Sequence, residues 1–116
     1  MADNSDQTTY ADGLSLLQRQ VAAWSERNFP DQPAENPLLG VGEEYGELTH
    51  AVLKDKQGIR LDESNVSTEA EMDAVGDMVI FLADFCSRRG YNIGDCVEMA
   101  WEGKVQTRDW ESEYNS

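Results

Sequence analysis

Positive charge is scarce in this chain: nine Lys+Arg stand against 23 Asp+Glu, a formal net charge of −14. A field of that sign repels nucleic acid and anionic membrane surfaces, so neither a nucleic acid polymer nor a membrane is an expected partner. Only three of the cations are lysines, Lys54, Lys56 and Lys104, and the acids are spread over the whole length. Adaptation to a very salty cytoplasm, where screening removes self-repulsion, would give the same pattern. Cysteine occurs twice, as Cys86 and Cys96 with no C-x-x-C spacing, which argues against a disulfide or zinc site and for reduced, buried thiols in a cytosolic protein. No apolar run reaches the roughly 18 residues of a membrane span. The opening "MADNSDQTTY" has neither the basic nor the apolar region of a signal peptide. Strand-length alternation and internal repeats are missing too, which removes the β and repeat architectures.

What is present is helical periodicity. Leu14, Leu17, Val21 and Trp24 mark a first helix, ended by Pro30 and Pro33. Asn36 and Pro37 read as the N-cap and first residue of a second helix, whose apolar stripe Leu38, Val41, Tyr45, Leu48 and Val52 runs until Gly58. After the polar connector "QGIRLDESNVS", Thr68 and Glu71 have capping-box spacing ahead of a third helix. Its run "MVIFLADFC" is apolar on most of its circumference, so it is expected to be the most buried. Gly90 ends it, Asn92 caps a fourth, and Val97, Trp101 and Val105 continue that helix. The expectation is one all-α domain over 13–110, with a flexible tail at 1–12 and a polar tail at 111–116. A chain of 116 residues with so apolar a third helix is expected to complete its bundle as a homo-oligomer, a homodimer or a dimer of dimers.

The stretch "GVGEEYGELTHAVLK" at 40–54 places Glu43, Glu44 and Glu47 among Gly40, Gly42 and Gly46, against the usual cost of glycine in a helix. At about 100° per residue, Glu44 and Glu47 share one flank while Glu43 points away. On the third helix Glu69, Asp73 and Asp77 follow at i, i+4, i+8, with Asp84 near the same line. Two carboxylates from each of two adjacent helices repel unless protonated or neutralised, and their hard oxygens suit Mg²⁺ or Mn²⁺. An ordinary solvated helix face is the plain alternative. The glycines then read as places where a neighbouring helix or a ligand approaches the backbone.

"EEYGE" at 43–47 followed by "DAVGDMVIFL" at 73–82 resembles the MazG-like nucleoside triphosphate pyrophosphohydrolases, an all-α group whose pattern is EExxE and then ExxD. The resemblance extends over about 14–110, through "LQRQVAAW", "AVLKDKQGIR" and "KVQTRDW". It implies hydrolysis of an NTP or dNTP to the monophosphate and pyrophosphate with Mg²⁺ or Mn²⁺, with catalytic Glu44, Glu47 and Asp77 and metal ligands Glu44, Glu47, Asp73 and Asp77. Where the pattern asks for the glutamate of ExxD the chain has Ala74, and Asp73 is the nearest acid. Lys54, Lys104 and Arg108 are the expected phosphate contacts and Trp24 a stacking surface for a base. Two readings compete: a di-iron carboxylate bundle, from the Glu47-x-x-His50 spacing, and a non-catalytic acidic interaction module using the first and fourth helices.

Overall fold

The computed structural model describes residues 5–58 and 64–108, and within them all regular structure is helical. Four α-helices, α1 (Ser5–Asn28), α2 (Glu35–Gln57), α3 (Ser64–Arg89) and α4 (Ile93–Ala100), are followed by a π-helical turn at Trp101–Val105. The all-α expectation holds. Two glycines stop the long helices as anticipated: Gly58 (φ 70°) and Gly90 (φ 78°) take left-handed backbone that other residues reach only with strain. Asn92 caps α4, its side-chain oxygen accepting the Asp95 N–H at 2.9 Å.

The starts differ from expectation. α1 begins at Ser5, so most of the stretch read as a flexible tail is helical. Tyr10 shows why: its hydroxyl donates to Glu102 Oε2 at 2.6 Å, which pushes the phenol up to about 12. α2 starts at Glu35 with Ala34 in the cap position, and Asn36 lies inside its first turn. Pro37 sits there as well, where its missing N–H is not needed. α3 starts at Ser64, which puts Thr68 and Glu71 within the helix rather than at a capping box. The fourth helix is not continuous either, because α4 ends at Ala100 and the chain widens into the π turn. The connector partly falls on 59–63 and the C-terminal tail on 111–116, both outside the described residues.

α3 is the shared member. Close approaches such as Gly40 to Phe81 show α2 running antiparallel along it, and Ser25 to Asp84 and Gln18 to Tyr91 show α1 doing the same further along. α1 also packs on α4, but α1 and α2 do not meet. The core lies where α1, α3 and α4 converge: Val21, Ala83, Cys86 and Ile93, with Leu14 and Leu17 against them. Buried Gln18 is fully engaged there, donating to Ser87 Oγ (2.9 Å) and the Tyr91 carbonyl (2.8 Å) and accepting the Ile93 N–H (2.7 Å). Gly94 allows α4 to approach, since a Cβ would lie 2.4 Å from the Ala11 carbonyl oxygen.

The third helix is not buried along its length. Met72 (69 %), Val75 (51 %) and Leu82 (37 %) are exposed, as are Leu39 (67 %), Tyr45 (61 %) and Val52 (47 %) on α2. The apolar circumference read from the sequence is real, but one chain does not cover it.

Candidate active site

Because α1 and α2 pack on different stretches of α3 without meeting, a cleft of about 600 Å³ opens between them above the middle of α3. Leu17, Val21, Trp24 and Phe29 form one wall, Ile80 and Phe81 the floor, and Glu44 and Asp77 face each other at the α2–α3 rim. Gly40 makes the floor possible. A Cβ there would meet the Phe81 ring at 2.8 Å, so glycine lets α2 sit directly on the ring. Trp24 is 47 % exposed and meets Phe29 edge-on, ring centroids 5.6 Å apart. It is a wall of the cleft and not a core residue.

The four expected ligand carboxylates are near one another but unequal. Glu44 and Asp77 are part-buried, while Glu47 and Asp73 are exposed. Desolvation pushes the Glu44 carboxyl above its ordinary value, and the negative charges of Glu47, Asp77, Asp73 and Glu43 push it further. Among the described residues no three His, Cys, Asp or Glu side chains converge tightly enough to form a ready metal site. The charges therefore crowd Glu44 without pointing at a common centre, and Glu47 and Asp73, being exposed, have rotamer freedom to turn inward. In donor chemistry the set fits a hard divalent cation: carboxylate oxygens only, with repulsion that a cation would relieve. Ala74, where the ExxD pattern has glutamate, is buried at 4 % exposure and adds no donor.

Asp84 is excluded from such a set by its partners. It is 7 % exposed, and both its oxygens are taken: Oδ2 accepts the Ser25 hydroxyl at 2.9 Å and Oδ1 the Arg88 Nε–H at 3.0 Å. Arg88 also donates through Nη2 to Ser25 Oγ (2.7 Å) and the Phe29 carbonyl (3.0 Å), and through Nη1 to the Gln32 carbonyl (2.8 Å). One guanidinium thus fixes the α1–α2 connector, and with it the Phe29 wall, to α3.

The expected phosphate contacts lie elsewhere. Lys54 is three turns along α2 from Glu44, Lys104 is exposed on the π turn and Arg108 beyond it, and none of the three lines the cleft. His50 is exposed and outside it too. Residues that the sequence did not single out for the site are Phe29, Phe81 and the Ser25–Arg88 pair. The Asp84–Arg88 spacing of i, i+4 inside an apolar run was the one signal for the last. No family model, curated protein or solved structure matches this chain.

Proposed function

We propose that the chain is a divalent-metal-dependent nucleoside triphosphate pyrophosphohydrolase of the MazG-like type, releasing pyrophosphate and a nucleoside monophosphate. The observation that carries this reading is the cleft itself: an aromatic and aliphatic wall meeting a carboxylate rim suits a ligand with a flat apolar end and a polyanionic end. Trp24 and Phe29 offer ring surfaces to a base, and Ile80 and Phe81 keep water from beneath it. Glu44 and Asp77 would hold Mg²⁺ or Mn²⁺, with Glu47 and Asp73, both exposed, as the further donors. When bound, such an ion neutralises phosphate charge and acidifies a water. Glu47, the exposed member one turn beyond Glu44, accepts the proton of the attacking water on a carboxylate oxygen. The test is a panel of canonical and modified nucleoside triphosphates with Mg²⁺, at low and molar salt, assayed for pyrophosphate. Orthophosphate as the first product, or no hydrolysis by protein whose circular dichroism shows folded helix, would overturn the proposal.

The functional unit is a homodimer or a dimer of dimers built on α2 and α3. With about 100° per residue, Leu38, Leu39, Gly42, Tyr45, Gly46, Thr49, Val52 and Leu53 form one side of α2. Between Leu38 and Leu53 that side carries no charged residue, although the chain holds 23 acids, and Glu35 and Lys56 bound it at the two ends of the helix. A Cβ added at Gly42 or Gly46 would meet nothing within 4 Å, so the backbone there is open to another helix. Leu38, Leu39, Tyr45, Val52 and Leu53 on that side are all exposed, as are Met72 and Val75 of α3, and exposed apolar side chains grouped in this way mark an interaction surface. Light scattering is expected to give at least twice 13.0 kDa, and Tyr45→Glu to shift the mass toward the monomer. A wild-type monomer would remove this part of the proposal.

A further inference from the structure

Most polar side chains lining the cleft already have a role or face solvent. Asp84 is taken by Ser25 and Arg88, Glu44 and Asp77 form the carboxylate rim, and Gln20 on α1 is exposed. Gln32 is left. It is half-buried, and its side chain has no hydrogen-bond partner among the described residues. Its backbone, in contrast, is fixed on both sides. The N–H donates to the Phe29 carbonyl at 3.3 Å, closing a tight turn around Pro30 and Asp31, and the carbonyl accepts from Arg88 Nη1 at 2.8 Å. Asp31 completes that turn with a left-handed φ of 62°, which aspartate reaches more readily than most side chains. Arg88 also holds the Phe29 carbonyl, at 3.0 Å, so the Phe29 ring and the Gln32 side chain keep one placement relative to α3. With both backbone groups engaged, the polar atoms that Gln32 can offer the cleft are those of its side-chain amide.

We propose that Gln32 is the specificity-determining residue of the cleft, its amide pairing with the edge of the nucleobase that stacks on the Trp24–Phe29 wall. This rests on the nucleotide reading. Trp24 and Phe29 lie 72° apart in plane, so one ring can lie flat on a base while the other closes its side. Stacking of that kind accepts any base, because every base has a flat face. Discrimination needs polar atoms at the base's edge, and an amide carries a donor and an acceptor side by side, matching an edge that presents an acceptor and a donor. It is also neutral, so it adds nothing to the repulsion that the carboxylate rim sets against a polyanionic substrate. Because the Phe29–Gln32 turn is anchored before any ligand arrives, little ordering of the backbone is left for binding to achieve.

The test measures kcat and KM for pyrophosphate release from nucleoside triphosphates that differ in the base alone, in ribose and deoxyribose series, with Mg²⁺ and at a salt concentration where circular dichroism shows folded helix. Wild type is expected to favour one base by about tenfold or more in kcat/KM. Gln32→Leu is expected to lower kcat/KM for that base by about 10- to 100-fold, chiefly through KM, and to change the other bases much less. Its Tm should match wild type, since the side chain it replaces bonds to nothing in the fold. Gln32→Glu keeps the size but loses the donor, and should erase the same preference. A base preference retained in both variants, an equal loss for every base, or a wild type without preference would each overturn the assignment of Gln32 while leaving the nucleotide reading intact. Folded wild type that releases no pyrophosphate from any of them would overturn that reading, and this assignment with it.

Discussion

Arg88→Ala is expected to destabilise the fold by about 3–5 kcal/mol, the range for removing one partner of a buried ion pair. The pair qualifies because the Arg88 and Asp84 side chains are only 12 % and 10 % exposed. Alanine would leave the Asp84 carboxylate buried with the Ser25 hydroxyl as its remaining partner, and would strip the Phe29 and Gln32 carbonyls of their anchor. Total stability of a small domain is about 5–15 kcal/mol, so the loss is a large share of it. Urea denaturation of Arg88→Ala, Asp84→Ala and the double variant checks the claim, with the double expected to lose much less than the sum of the singles. Arg88→Lys keeps the charge but not the planar fork, and should fall between. A loss below about 1 kcal/mol for Arg88→Ala would show that the network is incidental.

Glu44→Gln is expected to abolish most pyrophosphate release, by about 100-fold or more, while making the metal-free protein more stable. The two effects share one cause. Desolvation and four neighbouring acids raise the Glu44 carboxyl in the folded state, so folding favours its protonated form. That stabilising contribution is fully present below the unfolded value and is lost as pH rises through the raised one. At neutral pH the ionised group is a burden to the metal-free fold, which glutamine removes. Melting in chelator should therefore give the variant the higher Tm, whereas Mg²⁺ should raise the Tm of wild type and much less that of the variant. Equal Mg²⁺ shifts would mean that Glu44 belongs to an ordinary solvated face.

Periodicity made the four helices legible, and the two terminating glycines were legible because left-handed backbone has few alternatives. Helix starts were harder. Asn36 and Thr68 both have the side chains of caps, but α2 and α3 begin before them, at Glu35 and Ser64. Tyr10 gave no local sign of helix extension because its partner Glu102 is 92 positions away. At the site, spacing brought out Glu44, Glu47, Asp73 and Asp77, since one helix face is a local property. It could not show that Asp84, on nearly the same line, is taken up by Arg88 and Ser25, nor that Phe29 and Phe81 close the cleft. Those depend on which helix lies across α3, and α1 and α2 divide it between them. The glycines of α2 divide the same way: Gly40 serves Phe81, whereas Gly42 and Gly46 face outward.

The Tyr10–Glu102 hydrogen bond also bears on the order in which the chain assembles. α2 and α3 are neighbours in sequence, so their pairing closes a short loop and can begin early. Docking α1 on α4 joins the two ends of the described chain. Loop closure costs about 0.6 kcal/mol more for each doubling of length, so this contact carries an entropic penalty more than ~1 kcal/mol above that of the hairpin. Contacts so far apart in sequence slow folding, because the closure must come before the packing that rewards it. The α2–α3 hairpin is thus the expected seed, with α1 the last helix to arrive. The cleft, whose wall is α1, comes into being only at that final step.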